Sequence, residues 1–226
     1  MTKAIAGLEP ATVTALLRAG ALAIKPQDIG LHSADCPPVW GLIMELGFAD
    51  AVASLVVLID GSVSVYLSDG GGVIGCGLHP EVRSLAARML KVAQNAVANC
   101  EPMSSYPMPG DSQVCFYLLT LGGIVGAQAS KFALDEGAVE LTELYYAGHS
   151  LIDIIELLGA GVDLVDEMRL AQSAITIAGR EAVNDADVNG TAGIDISGSP
   201  LGEFKARGRA CRILPYAGNA ARRWRN

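Results

Sequence analysis

The residues best placed to do chemistry lie in one short stretch, residues 69–81, which reads DGGGVIGCGLHPE. Asp69, Cys76, His79 and Glu81 bring a thiol, an imidazole and two carboxylates into one segment. A cysteine and a histidine in hydrogen-bond reach, with a third group orienting the base, make a nucleophile pair. The spacing of Cys76 and His79 permits that contact without specifying it. The glycines suggest a second chemistry. Glycines ahead of a helix can cradle a phosphate, and the helix N-terminus adds a favourable dipole. Gly70, Gly71, Gly72, Gly75, Gly77 and His79 are therefore the candidate ligand-binding residues. Their spacing meets neither phosphate fingerprint. No Lys-Ser/Thr pair follows, as in a P-loop, and Pro80 stands where a dinucleotide-binding loop has its third glycine. The competing and stronger reading is structural: the glycines allow a bulge or the close approach of another backbone. On that reading His79 is a helix-entry residue ahead of Pro80.

The remaining reactive side chains are scattered. His32 and Cys36 stand four apart in a proline-containing loop, but a metal site needs a second pair, and solvent exposure is the better reading. His149, midway along an apolar helical stretch, reads as a satisfied core or boundary histidine. Tyr145 and Tyr146 read as core or interface. No HExxH, GxSxG or telling carboxylate pair occurs. Neither a catalytic residue nor a metal nor a cofactor is assigned. The five cysteines, Cys36, Cys76, Cys100, Cys115 and Cys211, form no CxxC pair. An odd count without a framework points to free thiols in a reducing cytoplasm. Cys76, Cys100 and Cys115 sit among apolar or small residues and are expected to be buried structural thiols.

Composition sets the frame around these residues. With 226 residues, 51% of them hydrophobic, the chain can bury one sizeable core. The longest apolar runs fall far short of the ~20 residues of a membrane helix. MTKAIAGLEP at the start has no sustained apolar region, so no secretory signal is visible. Residues 1–203 hold 9 Lys/Arg against 24 Asp/Glu, net −15, while residues 204–226 hold 7 Lys/Arg and no acid. The body should repel polyanions and anionic membranes, whereas the tail could attract both. Trp224 among arginines offers a stacking group, yet a basic terminal segment without a supporting fold is poor evidence of specific recognition. Nucleic acid is not an expected partner. The tail is read as dispensable, with a weak fold-back onto the acidic body as the third option.

Periodicity supplies the elements that must position the segment. Residues 10–24 read as a helix with Val13, Leu16, Leu17 and Ala21 on one face. Residues 39–48, 54–59 and 62–67 read as strands, with Asp60-Gly61 as a two-residue hairpin turn. Residues 81–99 form an amphipathic helix pattern. Residues 113–120 and 123–130 read as strands joined at Gly122-Gly123. Residues 139–158 and 162–178 read as helices. The order predicts an α+β fold, an antiparallel sheet of about five strands with helices packed on one face. Residues 1–183 make a single domain; residues 184–226 are a low-order tail, basic from 204.

VWG at residues 39–41 with Met44-Glu45, the Ser64-Val65-Tyr66-Leu67-Ser68 hairpin, the Gly70–Gly75 run and Phe116-Tyr117-Leu118-Leu119-Thr120 resemble a widespread family of uncharacterised bacterial proteins over residues 25–158. That family has no established activity, so the resemblance implies no catalytic residue. The strand–helix–strand order is also similar to roadblock/longin-type domains, which are dimerising scaffolds that contact small GTPases. The expected function is therefore a small cytoplasmic, non-catalytic binding or scaffold module, a homodimer with a possible protein partner and no membrane association. The alternative is an enzyme or small-ligand binder using residues 70–81.

Overall fold

A computed structural model describes residues 9–32 and 36–159, together with a short strand at 212–214. The chain opens with α1 (Pro10–Ala23), which starts on a proline at its first turn, where the missing N–H costs nothing. Four strands follow: β1 (Val39–Gly47), β2 (Val52–Leu58), β3 (Val63–Leu67) and β4 (Gly72–Ile74). Helix α2 (Pro80–Ala96) leads to β5 (Glu101–Pro102), β6 (Gln113–Thr120) and β7 (Gly123–Ser130). Two helices follow, α3 (Lys131–Asp135) and α4 (Thr142–Gly159), and β8 (Arg212–Leu214) is the last element described. The α+β class is as expected. The sheet is larger than the expected five strands: among the described residues it has eight, in the order β5-β7-β6-β1-β2-β3-β4-β8, with every pairing antiparallel. The extra strands are β4, β5 and β8, none longer than three residues, too short to leave a periodic pattern.

The hairpins differ from expectation in an informative way. The β2–β3 loop is Ile59-Asp60-Gly61, three residues rather than two. Gly61 N–H donates to the Leu58 carbonyl at 3.0 Å, and Leu58 N–H donates to the Ser62 carbonyl at 2.9 Å. Gly61 takes the left-handed conformation (φ 84°) that ends a three-residue hairpin loop. The β3–β4 loop, Ser68-Asp69-Gly70, repeats this design: Gly70 N–H donates to Leu67 and Leu67 N–H to Gly71, with Gly70 at φ 112°. In the β6–β7 hairpin the turn residues are Leu121-Gly122, and Gly123 is already the first strand residue.

The helices do not all lie on one face. Helices α2 and α4 cover one side, where Leu42, Met44, Leu55, Val114, Phe116 and Leu118 meet Met89, Leu144, Leu151 and Ile155. On this side α4 comes so close that a Cβ on Gly148 would lie 2.3 Å from the Met44 Cε. Helix α1 lies on the other side with two loops, one holding Ile29, Leu31 and Cys36, the other Met103 and Tyr106. Together they cover Trp40, Ile43, Val56, Leu58, Tyr66, Tyr117 and Leu119. The inward stripe of α1 is Thr14, which is buried, with Leu17, Arg18, Ala21 and Leu22, which are half-buried; it keeps Leu17 and Ala21 of the expected face and loses Leu16. Leu16 points away and is 57% exposed. A bulge between Val39 and Gly41 shifts the pleat, so Trp40 shares a face with Ile43. Gln94 on α2 secures the start of β1, its amide bonding both Val39 N–H (2.9 Å) and Val39 carbonyl (2.7 Å).

The helix expected at 162–178 lies outside the described residues. So does the low-order tail, apart from Arg212–Leu214, which pairs with β4.

Candidate functional site

The glycine-rich segment is built into the framework at both ends. Its first part is the β3–β4 loop and β4 itself. A Cβ on Gly70 would sit 2.5 Å from the Pro10 side chain, so this loop seats the start of α1. Gly71 (φ 84°) and Gly72 (φ 140°) continue the strained path, and Gly72 pairs with Tyr66. Gly75 (φ 81°) turns the chain into a single 3-10 turn, Cys76–Leu78. At Gly77 a Cβ would fall 1.6 Å from the Gly61 carbonyl oxygen, so the two loops touch backbone to backbone. Arg83 on α2 locks this contact, donating from Nε (3.1 Å) and Nη2 (2.9 Å) to the Gly77 carbonyl. His79 is half-buried and precedes α2 as its N-cap, its side chain making no cap. Cys76 is buried. The structure thus brings Gly70, Gly71, Gly72, Gly75, Gly77 and His79 into one continuous ribbon between two hairpins, and the close contacts account for Gly70, Gly72 and Gly77.

A second group of residues has no functional motif in the sequence. Glu45 lies in the middle of β1, in the middle of the sheet, and is fully buried. Arg18 reaches it from α1: Nε donates to Oε1 at 2.6 Å and Nη2 to Oε2 at 2.8 Å. Ser54, directly opposite Glu45 on β2, donates to Oε1 at 3.0 Å, and Arg18 Nη2 also donates to the Tyr106 carbonyl at 2.8 Å. The hydrogen bond to Glu45 raises the Arg18 pKa above its ordinary value, the cost of burial notwithstanding. Burial pushes the neighbouring phenols of Tyr66 and Tyr117 well above theirs. Beside this group is a cavity of ≈ 20 Å³ lined in part by Thr14, Arg18, Ser54, Tyr66 and Ser68. Such a volume holds about one water molecule and no substrate. With both carboxylate oxygens occupied by fixed donors, the arrangement is a clamp between helix and sheet rather than an acid–base centre. Its signal in the sequence is a lone carboxylate within the apolar run VWGLIMELGF and a lone cation within ATVTALLRAGALAI.

No family model, curated protein or solved structure matches the chain. The remaining reactive groups are dispersed. Among the described residues no three His, Cys, Asp or Glu side chains are grouped to hold a metal ion, and no helix is long and apolar enough to cross a membrane. His32 is exposed and Cys36 partly buried. Cys76 and Cys115 are buried, as expected for structural thiols, while Cys100 is half-buried. Burial, aided by Glu101, pushes the Cys100 thiol up to about 11, far from a reactive thiolate. His149 packs edge-on against Tyr145, ring centroids 4.4 Å apart. It lies at a boundary as expected but is not satisfied: its Nε2 is buried without a hydrogen-bond partner among the described residues.

Proposed function

We propose that the chain is a bacterial, cytoplasmic binding or scaffold module that acts as a homodimer and performs no catalysis. The observation that carries this reading is the outer side of β7 with the helix after it. β5 pairs with β7 only at Val125 and Gly126. Among the described residues no strand covers the edge of β7 beyond Gly126. An uncovered edge offers backbone N–H and C=O groups to a strand from another chain. Phe132 follows two residues after β7, and at 75% exposure it is the most exposed large hydrophobic side chain described. Tyr146, 48% exposed, donates to the Asp135 carbonyl and so flanks the same short helix. Accessible aromatics beside a polar strand edge are the usual anchors of a protein interface. The likeness to roadblock/longin-type scaffolds supports a second copy as the partner. The likeness to a bacterial family supports the source, and an odd number of cysteines without a CxxC pair supports the compartment. A small ligand on residues 70–79 is the rival reading; it ranks second because backbone contacts already explain Gly70, Gly72 and Gly77.

Size exclusion with light scattering tests the proposal. The full chain at micromolar concentration should run at twice its 23.4 kDa, and Phe132→Asp should halve that mass with unchanged far-UV circular dichroism. A wild-type monomer would sink the dimer, and a Phe132→Asp dimer would move it to another surface. A small molecule retained in native mass spectrometry would favour the rival.

A further inference from the structure

Among the described residues β8 alone pairs with the outer edge of β4, and the hydrogen-bond alternation shows how. Leu67 N–H donates to the Gly71 carbonyl, and the β3–β4 register runs on from that pair through Tyr66↔Gly72 to Val65↔Val73. In an antiparallel ladder the bonded pairs alternate. Val73 therefore directs its backbone groups at β3, while Gly72 and Ile74 direct theirs outward. The outward pair is what Leu214 and Arg212 face in β8, with Val73↔Ile213 between them. We propose that this edge of β4 is a strand-acceptor site and that Arg212–Leu214 of the same chain is its occupant, a strap that binds reversibly.

Three observations argue for the chain's own tail. First, the occupant carries opposite charge: residues 204–226 hold seven basic side chains and no acid, against −15 on residues 1–203. The attraction favours return of the strap and weakens with salt. Second, the tether suffices. In the sequence 52 residues separate Gly159 from Arg212, a chain length that can reach any point of a domain of this size. Third, the strap ends sheet growth. Pro215 follows β8 at once, and proline and arginine at an exposed edge disfavour a further strand. Only three residue pairs hold the strap. A contact that short opens far more readily than the core.

Amide hydrogen exchange on the full chain, read by NMR, tests this. In the wild type the Gly72 and Ile74 amides should be protected. Leu214→Pro removes an N–H that faces β4 and should speed exchange at Gly72 and Ile74 by at least about tenfold, leaving Val73 and Val65 unchanged. Leu214→Ala keeps the N–H and should behave far more like the wild type. A synthetic peptide of residues 208–218 should restore protection in Leu214→Pro. Fast exchange at Gly72 and Ile74 in the wild type, or no change in Leu214→Pro, would overturn the proposal. So would a concentration-dependent dimer that Leu214→Pro abolishes, which would make the occupant a second copy.

Discussion

On one side of the sheet, Leu42, Met44, Phe116 and Leu118 meet α2 and α4 in a cluster that holds no charged side chain. On the other, Ile43, Tyr117 and Leu119 share the surface with Glu45 and Ser54. The two sides are covered differently. The first has two long helices, each with an apolar stripe, and hydrophobic burial is enough to hold them. The second has one 14-residue helix and two loops, whose irregular backbone cannot present a continuous apolar surface. There a single bidentate ion pair fixes where α1 sits. Apolar packing is indifferent to small slides, whereas a guanidinium–carboxylate fork tolerates one geometry. The difference teaches that the amphipathic helices set the fold while the Arg18–Glu45 pair sets the register of the remaining helix.

The strongest way to break this comparison is to remove one partner of the pair. Arg18→Met leaves a fully buried carboxylate with only Ser54 for company, and should cost about 3–5 kcal/mol in urea unfolding. The double variant Arg18→Met/Glu45→Leu should recover most of that loss, because well-packed apolar residues commonly replace a buried pair without net cost. If the double variant is as unstable as the single, the pair is more than a mutual neutralisation, and the register argument fails in its present form.

How much could be read beforehand follows the same division. β6 and β7 were legible as short β-rich runs on either side of a glycine turn, and the core of α2 by its uninterrupted 3.6-residue period. α1 was legible as a helix but not in its orientation. Its inward stripe includes Thr14 and Arg18, so an apolar count chose Leu16, which is exposed. The role of Glu45 was illegible for the converse reason: it is a single charge within an apolar strand, and only its partner, 27 positions earlier, explains it. The glycine segment was legible as backbone. The loops it touches were not, since the Gly77–Gly61 contact joins residues with no local pattern in common.

A cavity on the helix-covered side sharpens the contrast. Leu151 on α4 is fully buried. Leu151→Ala should cost about 2–5 kcal/mol, the lost transfer energy together with an incompletely collapsed void. Here no second substitution of opposite charge or polarity can restore the loss; only a larger neighbour can. Thermal or urea unfolding should show Leu151→Ala additive with Arg18→Met, because the two act on opposite sides of the sheet. Strong non-additivity would mean that the two sides are one cooperative packing unit.

The smallest expected effect concerns the other way this molecule keeps a polar side chain inside. Arg18 and Glu45 neutralise each other; His149, at the margin of the helix-covered side, has no such partner for Nε2 among the described residues. Burial lowers its pKa below the ordinary 6.5. Asp153 and Asp135 pull it back up, and Lys131 pushes it further down. Tyr145 packs on its ring and stays protonated, its own pKa raised by burial and by Asp135. The folded chain therefore prefers the neutral imidazole. Its contribution is complete above the unfolded value near 6.5 and is lost as the pH falls through that value toward the folded one, because the unfolded chain then binds more protons. His149→Gln removes the titration while keeping a polar side chain of modest size. Between pH 7.5 and about 5, the melting temperature of the wild type should fall more than that of His149→Gln, with the excess appearing below pH 6.5. A wild type and variant with parallel pH profiles would show that the two aspartates outweigh burial, and that His149 enters the folded state as easily charged as neutral.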